Sequence, residues 1–318
     1  MSRPEGVAEA VRALQGGDRR TLSRLITEAE NDQPRARAVL RAVFPRTGRA
    51  KVVGFTGPLG VGKSSLIGAL VAHLRSRGER VAVVAVDPSS PFSGGSVLGD
   101  RIRIDHAPDD PGVFVRSMAS RGHTGGLSRR TREAVRLLEA GGFATVLVET
   151  VGSGQVDVEV REVATTSVVV LVPHLGDEVQ TLKAGLFEIA DVFCVNKADL
   201  PGADRARRDL SELAALGARD PAWPVPVVAT STATGTGIPE LWDAVEAHER
   251  HLEQSGRRVE DERRRLMNEI RGLLRDRFDH ELDTDRSLPR LVEPVVQREI
   301  DPEAAARRWW QGRARSRP

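Results

Sequence analysis

Gly57-Pro58-Leu59-Gly60-Val61-Gly62-Lys63-Ser64 packs three glycines, an ammonium and a hydroxyl into eight residues. It meets every fixed position of the phosphate-binding pattern GxxxxGK(S/T). Glycines let a backbone curl so that successive N–H groups point inward at an anion. A helix starting directly afterwards adds unpaired N–H groups and a positive dipole end. Lys63 then acts as a point charge for β- and γ-phosphates, and the Ser64 hydroxyl as a hard oxygen donor for Mg²⁺. Gly57, Gly60, Val61, Gly62, Lys63, Ser64 and Ser65 are the candidate phosphate-loop contacts. The rival reading is a glycine turn with an incidental lysine. The apolar lead-in Val52–Thr56 and the helical apolar spacing of Leu66–Leu74 argue against it.

Carboxylates stand at the ends of two further apolar runs. Val81–Val86 ends in Asp87-Pro88, where Asp87 can hold Mg²⁺ or its waters, open an Asp-Pro turn, or do both. Thr145–Val148 ends in Glu149, the place for an acid that orders Mg²⁺ directly or through water. The Gly/Ser-rich stretch 91–105 follows the Asp87 strand and reads as a nucleotide-sensing loop with Asp100 as its candidate Mg²⁺ ligand. The loop after Glu149 offers the Gly152 N–H to a γ-phosphate, against the plainer reading of a ligand-free strand-end connection. Residues 117–128 read as a second flexible stretch, and His123 within it as a loop residue rather than a ligand.

Val192–Val195 leads into Asn196-Lys197-Ala198-Asp199. The spacing NKxD at a strand end places a carboxylate where it accepts from both N1–H and the exocyclic amine of guanine. Adenine lacks that donor pair, and a desolvated carboxylate left unpaired is costly, so the discrimination is sharp. Asn196, Lys197 and Asp199 are therefore the base-reading candidates. Ser231, Thr232 and Ala233 resemble the second base-contacting loop, with Thr232 in place of the expected alanine or glycine.

The elements that must position these groups alternate strand and helix patterns over residues 49–245, which predicts a mostly parallel sheet covered on both faces. Continuous apolar runs at 52–56, 81–86, 145–149, 167–172, 192–195 and 225–229 are its expected strands, with nucleotide at their C-terminal ends. Three helices are expected over 5–46, the third ended by Pro45. Amphipathic helices are expected over 239–252 and 257–282, the latter with Val259, Leu266, Ile270, Leu273, Leu274 and Phe278 along one side. The expected fold class is thus α/β, a P-loop GTPase domain at 49–250 between an N-terminal helical segment, 1–48, and a C-terminal helical arm, 251–318. The Trp309-Trp310 pair near the end packs either on its own chain or on a second subunit.

Composition narrows the function classes. Across 318 residues the formal net charge is only +2, although the isoelectric point is about 9.1, and this does not call for nucleic acid. A single cysteine, Cys194, excludes a disulfide framework and fits a core position in a reducing compartment. With no 18-residue apolar run and no signal peptide, the expectation is a cytoplasmic protein without a membrane partner.

The run Gly57–Ser64, then AVDPSSPFSGGSVLGDR (85–101), VETVGSGQ (148–155), GDEVQTLKAGLFEIAD (176–191) and NKAD (196–199), resembles the MeaB/ArgK family of P-loop GTPases. The resemblance runs in order to about residue 250 and implies a Mg²⁺-dependent GTPase that binds GTP and GDP. It implies a homodimer built through C-terminal extensions. Such a protein serves as chaperone for an adenosylcobalamin-dependent acyl-CoA mutase, most typically methylmalonyl-CoA mutase, with an adenosyltransferase as a further candidate partner. It would gate cofactor loading and protect or reactivate the mutase. By the same resemblance Ser64, Asp87, Asp100 and Glu149 surround Mg²⁺. Residues 173–185 form an additional switch in which Lys183 faces the γ-phosphate and Asp177 and Gln180 lie nearby. Read alone, the acids of that stretch equally fit a helix N-terminal turn. Pro173-His174-Leu175-Gly176-Asp177 stands where the family has PGxGD, so His174 replaces a glycine, a departure at the switch or partner surface.

Two rival functions follow from the same motifs. A metallocentre-maturation GTPase of the hydrogenase or urease type would be expected to carry a His- or Cys-rich tract, and the seven histidines here are scattered. A nucleotide-dependent adaptor without turnover would not need the combination of Lys63, Ser64 and Glu149.

Overall fold

The computed structural model describes residues 4–88, 110–120, 126–150, 156–173, 188–216 and 220–316. It divides into two compact units, Met1–Asp261 and Glu262–Pro318.

The first unit begins with helices α1 (Pro4–Gln15), α2 (Arg19–Glu30) and α3 (Pro34–Val43). Asp18 caps α2: its carboxylate accepts from the Arg20 N–H and the Thr21 hydroxyl. That satisfies one of the helix's orphan donors and holds the Asp18 carboxyl below the usual range, chiefly through Thr21. After α3, a single 3₁₀ turn, Phe44–Arg46, absorbs Pro45.

Strand and helix then alternate through β1 (Lys51–Thr56), α4 (Lys63–Ser76), β2 (Val81–Pro88), β3 (Val113–Ser120), α5 (Gly126–Ala140), β4 (Thr145–Thr150), α6 (Val156–Val163), β5 (Thr166–Leu171), β6 (Val192–Val195), α7 (Ala203–Leu216), β7 (Val227–Ala229) and α8 (Ile238–Gln254). The seven strands form one parallel sheet in the order β3-β2-β4-β1-β5-β6-β7. Side chains alternate across it. Val53, Phe55, Val81, Val83 and Leu147 pack toward α4 and α8. Val52, Ala82, Val84, Val146 and Val148 pack toward α1–α3, α5 and α6. Burial on both faces is why these strands read as unbroken apolar runs.

Two expectations change. Residues 113–120, partly read as a flexible stretch, form the edge strand β3, paired in register with β2 from Val81↔Val113 to Pro88↔Ser120. Arg116 and Ser117 broke its apolar pattern. An edge strand tolerates them, and Arg116 pairs with Glu30 of α2 and bonds to the Thr27 hydroxyl. The last strand is shorter than 225–229 and starts at Val227, after Pro226, which lacks the N–H a ladder needs.

Beneath the N-terminal ends of the strands, α8 closes on a buried polar network. His248 Nδ1 shares a 2.8 Å hydrogen bond with the Thr166 hydroxyl, and its ring lies 5.0 Å from Trp223. Burial, reinforced by His251, pushes His248 down to about 4, so it sits neutral. Glu249 accepts from Thr166 at 3.0 Å and from Arg258 at 2.5 Å, which secures the first turn of α9 (Arg257–Thr284).

The second unit holds most of α9, α10 (Leu288–Val296) and α11 (Pro302–Ser316). The tryptophan pair divides. Trp309 is buried, lies edge-on to Phe278 at 5.6 Å and donates to Asp285, whereas Trp310 is 63% exposed. Among the described residues no helix is long and apolar enough to cross a membrane.

Candidate functional site

The phosphate loop leaves the C-terminal end of β1 and enters α4. Two glycines are required by geometry. Gly57 has φ +139°, and a Cβ there would lie 2.2 Å from the Val170 carbonyl oxygen on neighbouring β5. Gly62 caps α4 in the left-handed region at φ +89°, against the Asn196 side chain. The first intrahelical bond runs from Leu66 N to Gly62 O, so the N–H groups of Lys63, Ser64 and Ser65 lack partners from the helix itself. No carboxylate occupies this first turn, which leaves the positive end of the helix dipole open to an anion. Lys63 folds back into the loop, where its Nζ donates to the carbonyls of Gly57 at 2.7 Å and Pro58 at 2.8 Å.

The Ser64 hydroxyl donates to Glu149 Oε1 at 2.6 Å. The two residues are 85 apart in sequence. They meet because β1 and β4 are adjacent parallel strands, with Phe55 opposite Glu149. A hydroxyl and a buried carboxylate side by side are hard oxygen donors of the kind Mg²⁺ takes, so these two residues fit the ion. Asp87 lies at the end of β2 opposite Ala119, but its side chain is outside the described atoms. Asp100, Gly152, Asp177, Gln180 and Lys183 lie outside the described residues.

The guanine-reading candidates lie on the other side of the phosphate loop. Asn196 Nδ2 donates to the Val61 carbonyl at 2.9 Å, and Lys197 Nζ to the Gly60 carbonyl at 2.9 Å. The first two residues of NKAD therefore brace the loop, leaving the fourth for a base. Asp199 is exposed, and its Oδ1 accepts from the Ser231 hydroxyl at 2.5 Å. That bond holds the Asp199 carboxyl below the usual carboxylate range, keeping it the anion that guanine requires. Ser231 is itself fixed where the 230–237 turn closes, its N–H bonded to the Thr236 carbonyl. Thr232 is half-buried and Ala233 exposed in that turn.

One contributor was not singled out in the sequence. Thr230 is fully buried, and its hydroxyl donates to Asn196 Oδ1 at 3.1 Å and lies 3.1 Å from Cys194 Sγ. It orients the Asn196 amide so that Nδ2 faces Val61. Only the sheet brings it near, since 34 residues separate it from Asn196. Cys194 is a core group as expected. Burial raises its thiol to about 12, with the Thr230 hydrogen bond opposing.

Comparison with known proteins gives the family. Residues 22–287 match the family described as methylmalonyl Co-A mutase-associated GTPase MeaB. A Pyrococcus abyssi protein named for GTPase activity is 45% identical over 307 residues, 94% of each chain. Escherichia coli GTPase ArgK is 37% identical over 261 residues, covering 79% of this chain and 78% of its own. The mouse methylmalonic aciduria type A homolog, mitochondrial, is 34% identical over 258 residues, covering 76% of this chain and 62% of its own. Among solved structures, a LAO/AO transport system kinase superposes with a TM-score of 0.75 at 27% identity, covering 98% of both chains.

Proposed function

The chain belongs to the MeaB family of GTPases, and on that premise we propose that it serves an adenosylcobalamin-dependent acyl-CoA mutase, coupling GTP hydrolysis to cofactor loading and to protection or reactivation of the mutase. The family's association with methylmalonyl-CoA mutase supports that partner. The observation that carries the chemistry is the phosphate loop held from two sides, by Glu149 on Ser64 and by Asn196 and Lys197 on the carbonyls of Val61 and Gly60.

In this reading GTP enters with its guanine on Asp199 and its phosphates over the first turn of α4. Lys63 exchanges the carbonyls of Gly57 and Pro58 for β- and γ-phosphate oxygens. Ser64 and Glu149 hold Mg²⁺, with Asp87 and Asp100 as further ligands, and the ion supplies neutralisation of the phosphate charge. Water attacks the γ-phosphate in line, and positioning plus electrostatics provide most of the acceleration. Gly152 senses the γ-phosphate, and Lys183, with Asp177 and Gln180, faces it once the partner is bound.

Residues 251–318 act as a dimerisation arm. Its apolar side chains support this: Ile270 is 52% and Leu274 59% exposed. Among the described residues of the second unit, only Ala305 and Trp309 are buried apolar groups. Fifty-odd residues with so little core need a covering surface.

The test is GTP turnover by the full chain with and without purified methylmalonyl-CoA mutase. Stimulation by the mutase is expected, together with its loss in Lys183→Ala at unchanged GTP affinity. A mutase that neither binds nor stimulates removes the partner. Stimulation that survives Lys183→Ala removes that residue alone.

A further inference from the structure

Charge is distributed unevenly between the two arginine-rich parts of the chain. Helix α9 carries eight arginines balanced by eight carboxylates. Residues 34–51 carry six cations and no carboxylate. Arg35 and Arg37 are paired with Glu28 and Asp32, and Lys51 with Glu246. Arg41, Arg46 and Arg49 are exposed and have no carboxylate partner among the described residues.

These arginines flank an exposed aromatic residue in the chain, Phe44, between Arg41 and Arg46. Phe44 is 48% exposed, one helical turn beyond Arg41, and the Arg136 guanidinium lies 5.1 Å from its ring centroid. The following loop is pinned from below. Glu139 accepts the backbone N–H groups of Gly48, Arg49 and Ala50 at 2.7, 2.7 and 3.1 Å. The Glu139 carboxylate is thereby spent on the backbone, Arg258 adds bonds to the carbonyls of Arg49 and Ala50 at 3.2 and 3.3 Å, and the loop is ordered before any partner arrives. An aromatic ring among unpaired arginines on pre-ordered backbone has the composition of an interface centre, with little ordering entropy left to lose.

We propose that Arg41, Phe44, Arg46 and Arg49 form a docking surface for an acidic protein face, and that this face belongs to the mutase partner. The proposal rests on the partner reading above and adds where contact is made. The patch lies at the N-terminal end of β1, whereas the phosphate loop leaves its C-terminal end. Six strand residues separate them by about 20 Å. Docking here leaves the nucleotide face accessible, and substitutions here leave unassisted hydrolysis intact.

The test uses the full chain, the triple variant Arg41→Gln/Arg46→Gln/Arg49→Gln, its Lys counterpart at the same positions, and Phe44→Ala. Binding is measured to purified methylmalonyl-CoA mutase and, as a polyanion probe, to poly(U) RNA, each at low and high salt. For the Gln triple variant the expected result is at least about tenfold weaker mutase binding. The loss should lie mainly in association rate, with a shallower salt dependence. Phe44→Ala should weaken binding through faster dissociation, and the Lys variant should retain most of the affinity. Melting temperature and GTP hydrolysis without partner stay at wild-type values in all of them. Unchanged mutase binding by the Gln variant, beside a wild-type chain that binds, overturns the surface and leaves the partner standing. A loss confined to poly(U) overturns the protein-docking proposal in favour of a polyanion site. A wild-type chain that does not bind the mutase overturns the partner and the surface together.

Discussion

The nucleotide-binding unit and the C-terminal helical unit are built on opposite principles. In the first, a parallel sheet buries apolar side chains on both faces, and its polar groups at the strand ends are held by one another. In the second, α9 is a helix that leaves several apolar residues in the open: Ile270, Leu273 and Leu274 are all exposed. In the first unit the phosphate loop is held by NKAD and by the sheet, through Asn196 on Val61, Lys197 on Gly60 and Glu149 on Ser64. The second has surface to offer and little interior of its own. Catalysis and assembly should therefore separate cleanly under mutation.

The largest expected effect is on chemistry. Lys63→Ala should reduce GTP hydrolysis by about 10²–10³-fold, because it removes a preorganised charge at the phosphates. Single-turnover kinetics measures this, and the oligomeric state on size-exclusion chromatography should not change. Next, Asp199→Asn should cost about 10²-fold or more in preference for GTP over ATP, read by competition binding. An unchanged preference would remove Asp199 as the base reader. On the other unit, Ile270→Arg should shift a dimer toward monomer by light scattering while unassisted GTP hydrolysis stays at the wild-type rate. A parallel loss of hydrolysis would erase the contrast between the units.

Two smaller effects test how the first unit is held. Thr230→Val leaves Asn196 Oδ1 without its buried donor, at a cost of about 1–3 kcal/mol, and Thr230→Ser should recover most of it. Nucleotide affinity and thermal melting read both. His248 contributes to the pH response. Its folded pKa, about 4, lies below the ordinary histidine value of 6.5, so the unfolded chain binds the extra proton as pH falls between those values. Its contribution is therefore unaffected above 6.5 and turns destabilising as pH drops, by roughly 2 kcal/mol at pH 5. Urea midpoints at pH 7 and pH 5 should differ by less in His248→Gln than in the wild type.

The phosphate loop and NKAD were legible because their chemistry is contiguous. Glycines that must curl, a lysine that must reach and an acid that must read a base all fall within a few residues. Most strands were legible for a related reason, since burial on both faces leaves an unbroken apolar run. β3 was not, because an edge strand accommodates Arg116 and Ser117 by pairing one of them with α2. Thr230 was not, because a threonine at a strand end looks alike whether it orients an asparagine or faces water. The tryptophan pair could not be divided from its sequence either: both rings lie near Phe278, but only Trp309 is buried and bonded to Asp285, while Trp310 stays exposed.

By itself the amino-acid order determined the GTPase family, the parallel α/β architecture and the candidates for phosphate and guanine contact. Those properties follow from side-chain type and local backbone freedom. The tertiary structure alone decided that Ser64 meets Glu149, that Asn196 and Lys197 brace the phosphate loop, and that Arg41, Arg46 and Arg49 have no carboxylate partner among the described residues. Each depends on distances between segments far apart in the chain, which only the packing of strands and helices sets.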